Sequence, residues 1–254
     1  MKIISLNVRV WRMFENLSEF VAEHRDSTDV FCFQEVFHTL WDNIIIDEHY
    51  RADIYNRLCE ILPDHQAYYS PYAVWGFLSP VDFHVERGNA IFAKRDIWIK
   101  STWVEYFFWA YATEHDLEEH NVKNFQHITV EYKWKELCIM NLHGIRELAG
   151  KSDSPKRLQQ SKELREFIQK SGKSTILVWD FNLDPDTQSM DILREWMNDL
   201  ITEYNISTTR SKLCRNYWEH LFADYALLSP DIVVKSFEVP YSEVSDHLPL
   251  ILEI

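Results

Sequence analysis

Polar side chains able to handle protons, anions or hard cations recur at one kind of place in this sequence, the carboxyl ends of short apolar runs. Asn7 closes IISLN, Gln34-Glu35 close FCFQE, and His143 closes IMNLH. Asp180 and Asn182 end ILVWDFN, Asp224 lies in FADYALLS, and Asp246-His247 sit in VSDHLPL ahead of a final apolar run. Sites are commonly built where a rigid scaffold hands over to loops. Carboxylate and carboxamide oxygens suit a hard cation such as Mg²⁺ or Mn²⁺, and a histidine beside a carboxylate can donate a proton near neutral pH. Taken singly, each residue also has a plain structural reading. Asn7 is a turn residue, Glu35 a solvated strand end, and Asp180 and Asn182 form a turn before Pro185. His143 reads alone as a core histidine donating to a carbonyl, and Asp246 as a turn former.

The elements that must position these residues interleave along the whole chain. Strand character falls on Lys2–Val8, Thr28–Gln34, Gly88–Lys94, Ile97–Tyr106, Phe125–Lys133, Glu136–His143, Thr175–Trp179, Ala223–Leu228, Ile232–Val239 and Leu248–Ile254. Helical spacing falls on Phe14–Arg25, Arg51–Leu62, Lys156–Lys170 and Thr187–Leu200. The third helix has clear punctuation, with Asp153/Ser154 as N-cap, Pro155 in its first turn and Gly172 past its end. Strands neighbour strands as often as helices, which favours an α+β sandwich over a doubly wound parallel sheet. There is no repeat, linker or charge block to mark a boundary, so residues 1–254 read as one domain.

The ordered set Asn7, Gln34-Glu35, His143, Asp180-Phe181-Asn182, Asp224 and Ser245-Asp246-His247 resembles the endonuclease/exonuclease/phosphatase superfamily, the deoxyribonuclease-I-like metal phosphohydrolases. QEV at Glu35, DFN at 180–182 and SDH at 245–247 are the specific motifs, and the resemblance spans nearly the whole chain. It implies a four-layer α/β/β/α sandwich of two mixed sheets, with the site at one end. It implies Glu35 as principal ligand of a divalent cation, Mg²⁺ or Mn²⁺, with Asn7 and Asp246 contributing directly or through water. Asp180 would orient or deprotonate the attacking water. Asn182 and His143 would hydrogen-bond the scissile phosphate, and His247, paired to Asp224, would donate to the phosphoryl group. The implied activity is metal-dependent phosphoester hydrolysis, most simply that of a nuclease or phosphodiesterase on nucleic acid, a nucleotide or another phosphodiester. In-line displacement of this kind needs a positioned nucleophile and charge stabilisation around the phosphoryl oxygens.

Two departures bear on activity. Family members usually carry glycine immediately before the aspartate of DFN, where this chain has Trp179, and the loop Val8-Arg9-Val10-Trp11 lacks a glycine often found there. A tryptophan at 179 must find room elsewhere or crowd the site. The competing reading is therefore a non-catalytic or weakly active metal-binding member of the same fold. A redesigned or far-drifted sequence also fits the glycine count of 5 in 254 residues, about 2% against a usual share of about 7%. An independent zinc hydrolase finds no support, because the 11 histidines include no HExxH pattern.

Composition narrows the substrate and the setting. With 26 Lys+Arg against 40 Asp+Glu the formal charge is −14, which repels a phosphate backbone at long range. Phosphate must then be met by local cations. Two basic segments qualify: Arg146, Lys151, Lys156 and Arg157, and Arg210, Lys212 and Arg215. Arg157, which opens a helix close behind His143, is the leading candidate for substrate binding. The aromatic stretch Tyr68–Tyr111 reads mainly as sheet core, with base stacking as the alternative. The acidic insert TEHDLEEH at 113–120 argues against a continuous DNA groove. The four cysteines include no CxxC pair, and the N-terminus lacks a signal-peptide core. The expectation is a cytoplasmic protein with no membrane span and no obligate protein partner evident.

Overall fold

The computed structural model describes residues 1–9, 14–42, 44, 51–74, 83–107, 123–147 and 150–254. Two six-stranded sheets pack face to face. The first contains β1 (Lys2–Asn7), β2 (Val30–His38), β3 (His65–Val74), β4 (Glu86–Lys94), β11 (Ser236–Glu238) and β12 (Leu250–Glu253), in the order β11-β12-β1-β2-β4-β3. The second contains β5 (Ile99–Phe107), β6 (Lys123–Tyr132), β7 (Lys135–His143), β8 (Ser174–Asp180), β9 (Asn198–Asp199) and β10 (Asp224–Leu228), in the order β5-β6-β7-β8-β10-β9.

Each sheet has one parallel pair at its centre, β1 with β2 and β7 with β8, and every other pairing is antiparallel. Parallel neighbours need a crossover. The helices α1 (Phe14–His24) and α3 (Pro155–Ser171) lie in those two connections. The layout thus sets two β-α-β units against each other, and the four parallel strands end at Asn7, Glu35, His143 and Asp180 or within a few residues of them.

Side chains alternate between the two faces of each strand. Ile3, Val30, Cys32, Ile91 and Ala93 of the first sheet share a buried cluster with Ile128, Val130, Ile139, Ile176 and Val178 of the second. The opposite face of the first sheet, with Ile4, Leu6, Phe31, Phe33 and Phe92, is covered by Leu17, Phe20 and Val21 of α1 and by Ile54 and Leu58 of α2 (Ile54–Ile61). The second sheet is covered by α3 and α4 (Gln188–Arg194), which bring Leu164, Met190 and Leu193. The result is the helix-sheet-sheet-helix sandwich expected from the sequence. Ser154 caps α3 through Arg157 N at 3.2 Å, and Gly172 ends it in the left-handed conformation at φ 62°.

Three elements differ from the sequence expectation, the first being the strand expected over Ile232–Val239, which is confined to Ser236–Glu238. The single helix expected over Thr187–Leu200 is broken into α4, the two-residue strand β9 and α5 (Leu200–Glu203). Asp199 is the cause: its carboxylate accepts from Ile201 N at 3.0 Å, from Thr202 Oγ1 at 2.9 Å and from Arg194 at 2.8 and 3.0 Å, so it caps a new helix instead of continuing the old one. The apolar stripe Met190, Leu193, Met197 and Leu200 is buried regardless. Strand β3 falls partly in the Tyr68–Tyr111 stretch read as sheet core, but Pro71 interrupts its pattern and the sequence reading assigns no strand there. It lies at the edge of its sheet, where proline is tolerated.

Candidate active site

The Gln34-Glu35 segment sits in a β-bulge. The register of β2 on β4 slips between Phe33 and Val36, and Glu35 takes φ 59°. A left-handed residue in a bulge bends the strand and redirects its side chain. A second bulge lies on the other side of β4, where β3 slips between Pro71 and Ala73 and leaves Tyr72 unpaired. Gly88 stands opposite, and a Cβ there would lie 2.3 Å from the Ser70 carbonyl oxygen, so only glycine fits. Tyr72 and Glu35 are thereby both turned toward the end of the sandwich that bears Asn7 and His143.

A layer of buried amides joins the two sheets just beneath. Gln34 Nε2 donates to Asn141 Oδ1 at 2.7 Å and to Ser5 Oγ at 3.0 Å, while Asn141 Nδ2 donates to the Phe33 and Ala90 carbonyls. Asn89 Nδ2 donates to Asn124 Oδ1 at 2.9 Å, and Asn124 Nδ2 donates to Ser70 Oγ at 2.6 Å. These bonds fix the register of one sheet on the other, and with it the separation of the residues above.

Those residues converge from both sheets. Asn7 Nδ2 donates to Asp180 Oδ2 at 2.8 Å and to Glu35 Oε1 at 3.3 Å. His143 Nε2 lies 3.4 Å from Glu35 Oε1 and 3.6 Å from Asp180 Oδ2. His247 Nδ1 bonds Asp224 at 2.8 and 2.9 Å, and its Nε2 lies 3.7 Å from Asp180 Oδ2 and 3.9 Å from Asp246 Oδ1. Asn182, at φ 53°, donates its backbone N–H to Asp180 Oδ1 at 3.0 Å. Asn7, Glu35, His143, Asp180, Asn182, Asp224, Asp246 and His247 thus form one connected group. Glu35, His143 and Asp180 can present ligand atoms to a common point, and so can Asp180, Asp224 and His247.

Cations surround the group despite the acidic chain. Arg87 pairs with Glu35 Oε2 at 3.4 Å, Arg9 with Asp246 at 3.5 Å, and Arg210 with Asp246 at 3.3 Å and with His247 Nε2. Lys123 Nζ lies 3.1 Å from His143 Nδ1, and Lys151 donates to the Phe222 carbonyl. Burial alone would raise the Glu35 carboxyl, but Arg87, His143, Arg9 and Lys123 together hold it well below the usual range. Asp180 is likewise held low, its burial outweighed by His247, His143, Arg210 and Lys151. Burial raises Asp224, with His247 opposing. Burial and then Arg87 push Lys123 down to about 7, and burial and then Arg210 push Lys151 to about 8. His143 is driven well below its ordinary value by burial and by Lys123.

Arg157 is not brought into this group. Its side chain is buried, and its guanidinium donates to the Ile145 and Ser152 carbonyls and faces Glu147 at 3.7 Å, so it ties down the loop after β7. Lys151 and Arg210, read from the sequence as rim residues, lie inside it instead. Tyr72, Arg87 and Lys123 were not singled out in the sequence. The signal available was a basic residue at or next to the start of a strand, at Lys123 in KNFQHITV and at Arg87 in ERGNAIF.

Trp179 does not crowd the group. It pairs with Leu142 across β8 and β7, one residue out of phase with the His143 and Asp180 pair, so it projects from the opposite face. There it is fully buried and stacks on Phe181 with centroids 3.5 Å apart. Gly144 makes the room, since a Cβ at 144 would stand 3.0 Å from Trp179 Nε1 and 2.7 Å from the Phe181 carbonyl oxygen. Val10 and Trp11, the acidic insert at 113–120, and residues 75–82 and 108–111 of the aromatic stretch lie outside the described residues.

The layered sandwich and the convergence at the ends of its parallel strands define a deoxyribonuclease-I-like phosphoesterase fold. Residues 4–247 match the model of the Endonuclease/Exonuclease/phosphatase family, and the chain belongs to that family. Among solved structures it is similar to an endonuclease/exonuclease/phosphatase family protein from Leptotrichia buccalis, at 19% identity and TM-score 0.74, covering 100% of this chain and 98% of the other. It is also similar to a mannosyl-6-phosphatase from Bacteroides thetaiotaomicron, at 17% identity and TM-score 0.70 with 100% and 98% covered. The catalytic domain of human Nocturnin, solved with bound sulfate, aligns at 17% identity and TM-score 0.68 with 99% and 92% covered. No curated protein sequence matches the chain. Among the described residues no helix is long and apolar enough to cross a membrane, and all four cysteines are free.

Proposed function

We propose that this protein is a divalent-metal-dependent phosphoester hydrolase, acting as a nuclease or phosphodiesterase by in-line attack of an activated water. The observation that supports this reading is the convergence of Glu35, Asp180 and Asp246 with His143 and His247 at one end of the sandwich, the first two carboxylates held ionised by surrounding cations. The donor set fits a hard cation, being rich in carboxylate oxygen, and Asp246 Oδ1 is buried with no hydrogen-bond partner. Glu35 would be the principal ligand, with Asn7 at 3.3 Å from it and Asp246 contributing directly or through water. The metal, Mg²⁺ or Mn²⁺, supplies neutralisation of charge on the phosphoryl oxygens when bound.

The remaining chemistry belongs to the side chains. Asp180, held by Asn7 and by the Asn182 N–H, orients the attacking water and accepts its proton. Asn182 Nδ2 and His143 Nε2 are buried polar atoms without hydrogen-bond partners, and they suit donation to phosphoryl oxygens as negative charge builds. His247, with Asp224 on its Nδ1 and the Arg210 guanidinium donating to its Nε2, would donate to the phosphoryl group only in its doubly protonated form, and Arg210 supplies N–H groups on the same side. Because Trp179 packs on the far face, the main argument for a retired site falls away.

The test is hydrolysis of a generic phosphodiester and a short oligonucleotide panel, in Mg²⁺ or in EDTA, by the wild type and His247→Ala. Metal-dependent turnover that drops about 10²–10⁴-fold in the variant is expected, the range for removing a proton-transfer group. A folded wild type inert toward every phosphoester offered would overturn the proposal.

A further inference from the structure

The two histidines of the site are wired in opposite senses. His247 Nδ1 faces a carboxylate, Asp224, which has only lone pairs to offer when ionised, so that nitrogen carries the hydrogen and Nε2 receives the Arg210 N–H. His143 Nδ1 instead faces Lys123 Nζ at 3.1 Å and Tyr72 OH at 3.0 Å. Below about pH 7, where the buried Lys123 is an ammonium, it has three N–H donors and no lone pair. The tyrosine oxygen accepts from Arg87 Nε at 3.0 Å, which leaves its own hydrogen free to point at the imidazole. Two donors therefore converge on one ring nitrogen, and that nitrogen must be the acceptor.

We infer that Lys123 and Tyr72, the latter held by Arg87, are positioning residues that lock His143 in its Nε2–H tautomer, so that this ring meets the site as a fixed hydrogen-bond donor. The inference deepens the hydrolase reading and rests on it for its catalytic meaning. In this tautomer Nε2 has no lone pair for a metal, so His143 is not a ligand although it lies near Glu35 and Asp180. Its Nε2 lies 3.4 and 3.6 Å from the Glu35 and Asp180 oxygens, too far for good hydrogen bonds, and has no other partner, so its N–H is left for a phosphoryl oxygen. The ring is fully enclosed, and the Tyr72 ring packs at 66° to it with centroids 5.9 Å apart. Lys123 in turn sits over the Tyr72 ring at 4.8 Å, so its stem and its charge are both fixed. A second bulge, a glycine and a buried lysine are thus spent on orienting one imidazole, and outer partners that choose a tautomer govern how a site histidine acts.

The experiment is long-range ¹H–¹⁵N correlation on the metal-free, ¹⁵N-histidine-labelled protein near pH 6, where Lys123 carries its proton and His143 does not, with His143 assigned from the signal missing in His143→Gln. It needs neither turnover nor metal, so it fails independently of the hydrolase proposal. The expected result is a pyrrole-like Nε2 and a pyridine-like Nδ1 for His143, with the reverse for His247. A protonated Nδ1 on His143 overturns the inference. In Tyr72→Phe/Lys123→Met both tautomers should be populated, and a tautomer unchanged there would equally overturn it. With turnover established, Lys123→Arg should retain rate within about 10-fold, whereas Lys123→Met/Tyr72→Phe should lose about 10²-fold in kcat, the order expected for a misdirected anion donor. Equal losses in the two would assign Lys123 to mere packing.

Discussion

Replacing Trp179 by glycine, the residue usual before this aspartate in the family, separates two accounts of the site. If the indole crowded the catalytic end, glycine would raise activity. The structure places it on the opposite face of β8, fully buried and stacked on Phe181, with Gly144 shaped to receive it. A buried tryptophan removes about 150–250 Å² from water, which at about 25 cal/mol per Å² amounts to roughly 4–6 kcal/mol. Large-to-small core substitutions of tryptophan cost about 3–5 kcal/mol, and glycine in a strand adds about 0.5–1 kcal/mol through backbone freedom. The expected loss is therefore about 4–5 kcal/mol. For a chain of this size that corresponds to a fall in Tm of about 10–20 °C. Urea unfolding followed by far-UV circular dichroism measures it, alongside turnover well below the new midpoint. We expect a large fall in stability and no gain in rate. A variant as stable as the wild type, or a faster one, would refute the placement of Trp179 and the reasoning built on it.

His127, buried between Phe125 and Phe167, has its pKa pushed down to about 4 by burial and then by Lys173, below the about 6.5 of an unfolded chain. The unfolded state therefore takes up the proton first, and stability should fall as pH drops from about 6.5 toward 4, by on the order of 2 kcal/mol, and stay flat above. His127→Phe should lack that component when pH-dependent chemical denaturation is compared with the wild type. Asn141→Leu strips Gln34 of one of its acceptors, Ser5 remaining, and two carbonyls of a donor, so calorimetry should show a loss of about 2–6 kcal/mol at about 1–3 kcal/mol for each buried carbonyl. Arg157→Met should lower stability by about 1–3 kcal/mol through the untied loop carbonyls and leave KM within about twofold, in a paired melting and steady-state measurement.

What could be read in the sequence was what repeats locally. Apolar runs of strand length, the cap at Ser154 and the αL glycine at 172 depend on neighbours in sequence, and the structure has them there. The layered fold followed from the motif order. The helix read over Thr187–Leu200 was too long because the capping bonds of Asp199 to Ile201 and Thr202 compete with the helical pattern that the apolar stripe alone suggested. Tyr72, Arg87 and Lys123 were missed for a different reason. Their importance comes from two bulges and from a packing of one sheet on the other, which bring residues 72, 87, 123 and 143 together across large sequence distances. The same holds for Arg157: its place near His143 in sequence was correct, but the sequence could not show that the Ile145 and Ser152 carbonyls would take its guanidinium. The direction of Trp179 was in principle available from strand alternation, since it lies one residue from Asp180 and must face the other way.

The most direct test of the central claim is steady-state hydrolysis of bis-p-nitrophenyl phosphate as a function of Mg²⁺ concentration, for the wild type and Glu35→Gln. The account predicts saturable activation by Mg²⁺, abolition by EDTA, and a variant that needs far more metal and turns over far more slowly. Hydrolysis that EDTA leaves untouched, or a Glu35→Gln protein with an unaltered Mg²⁺ dependence, would contradict it.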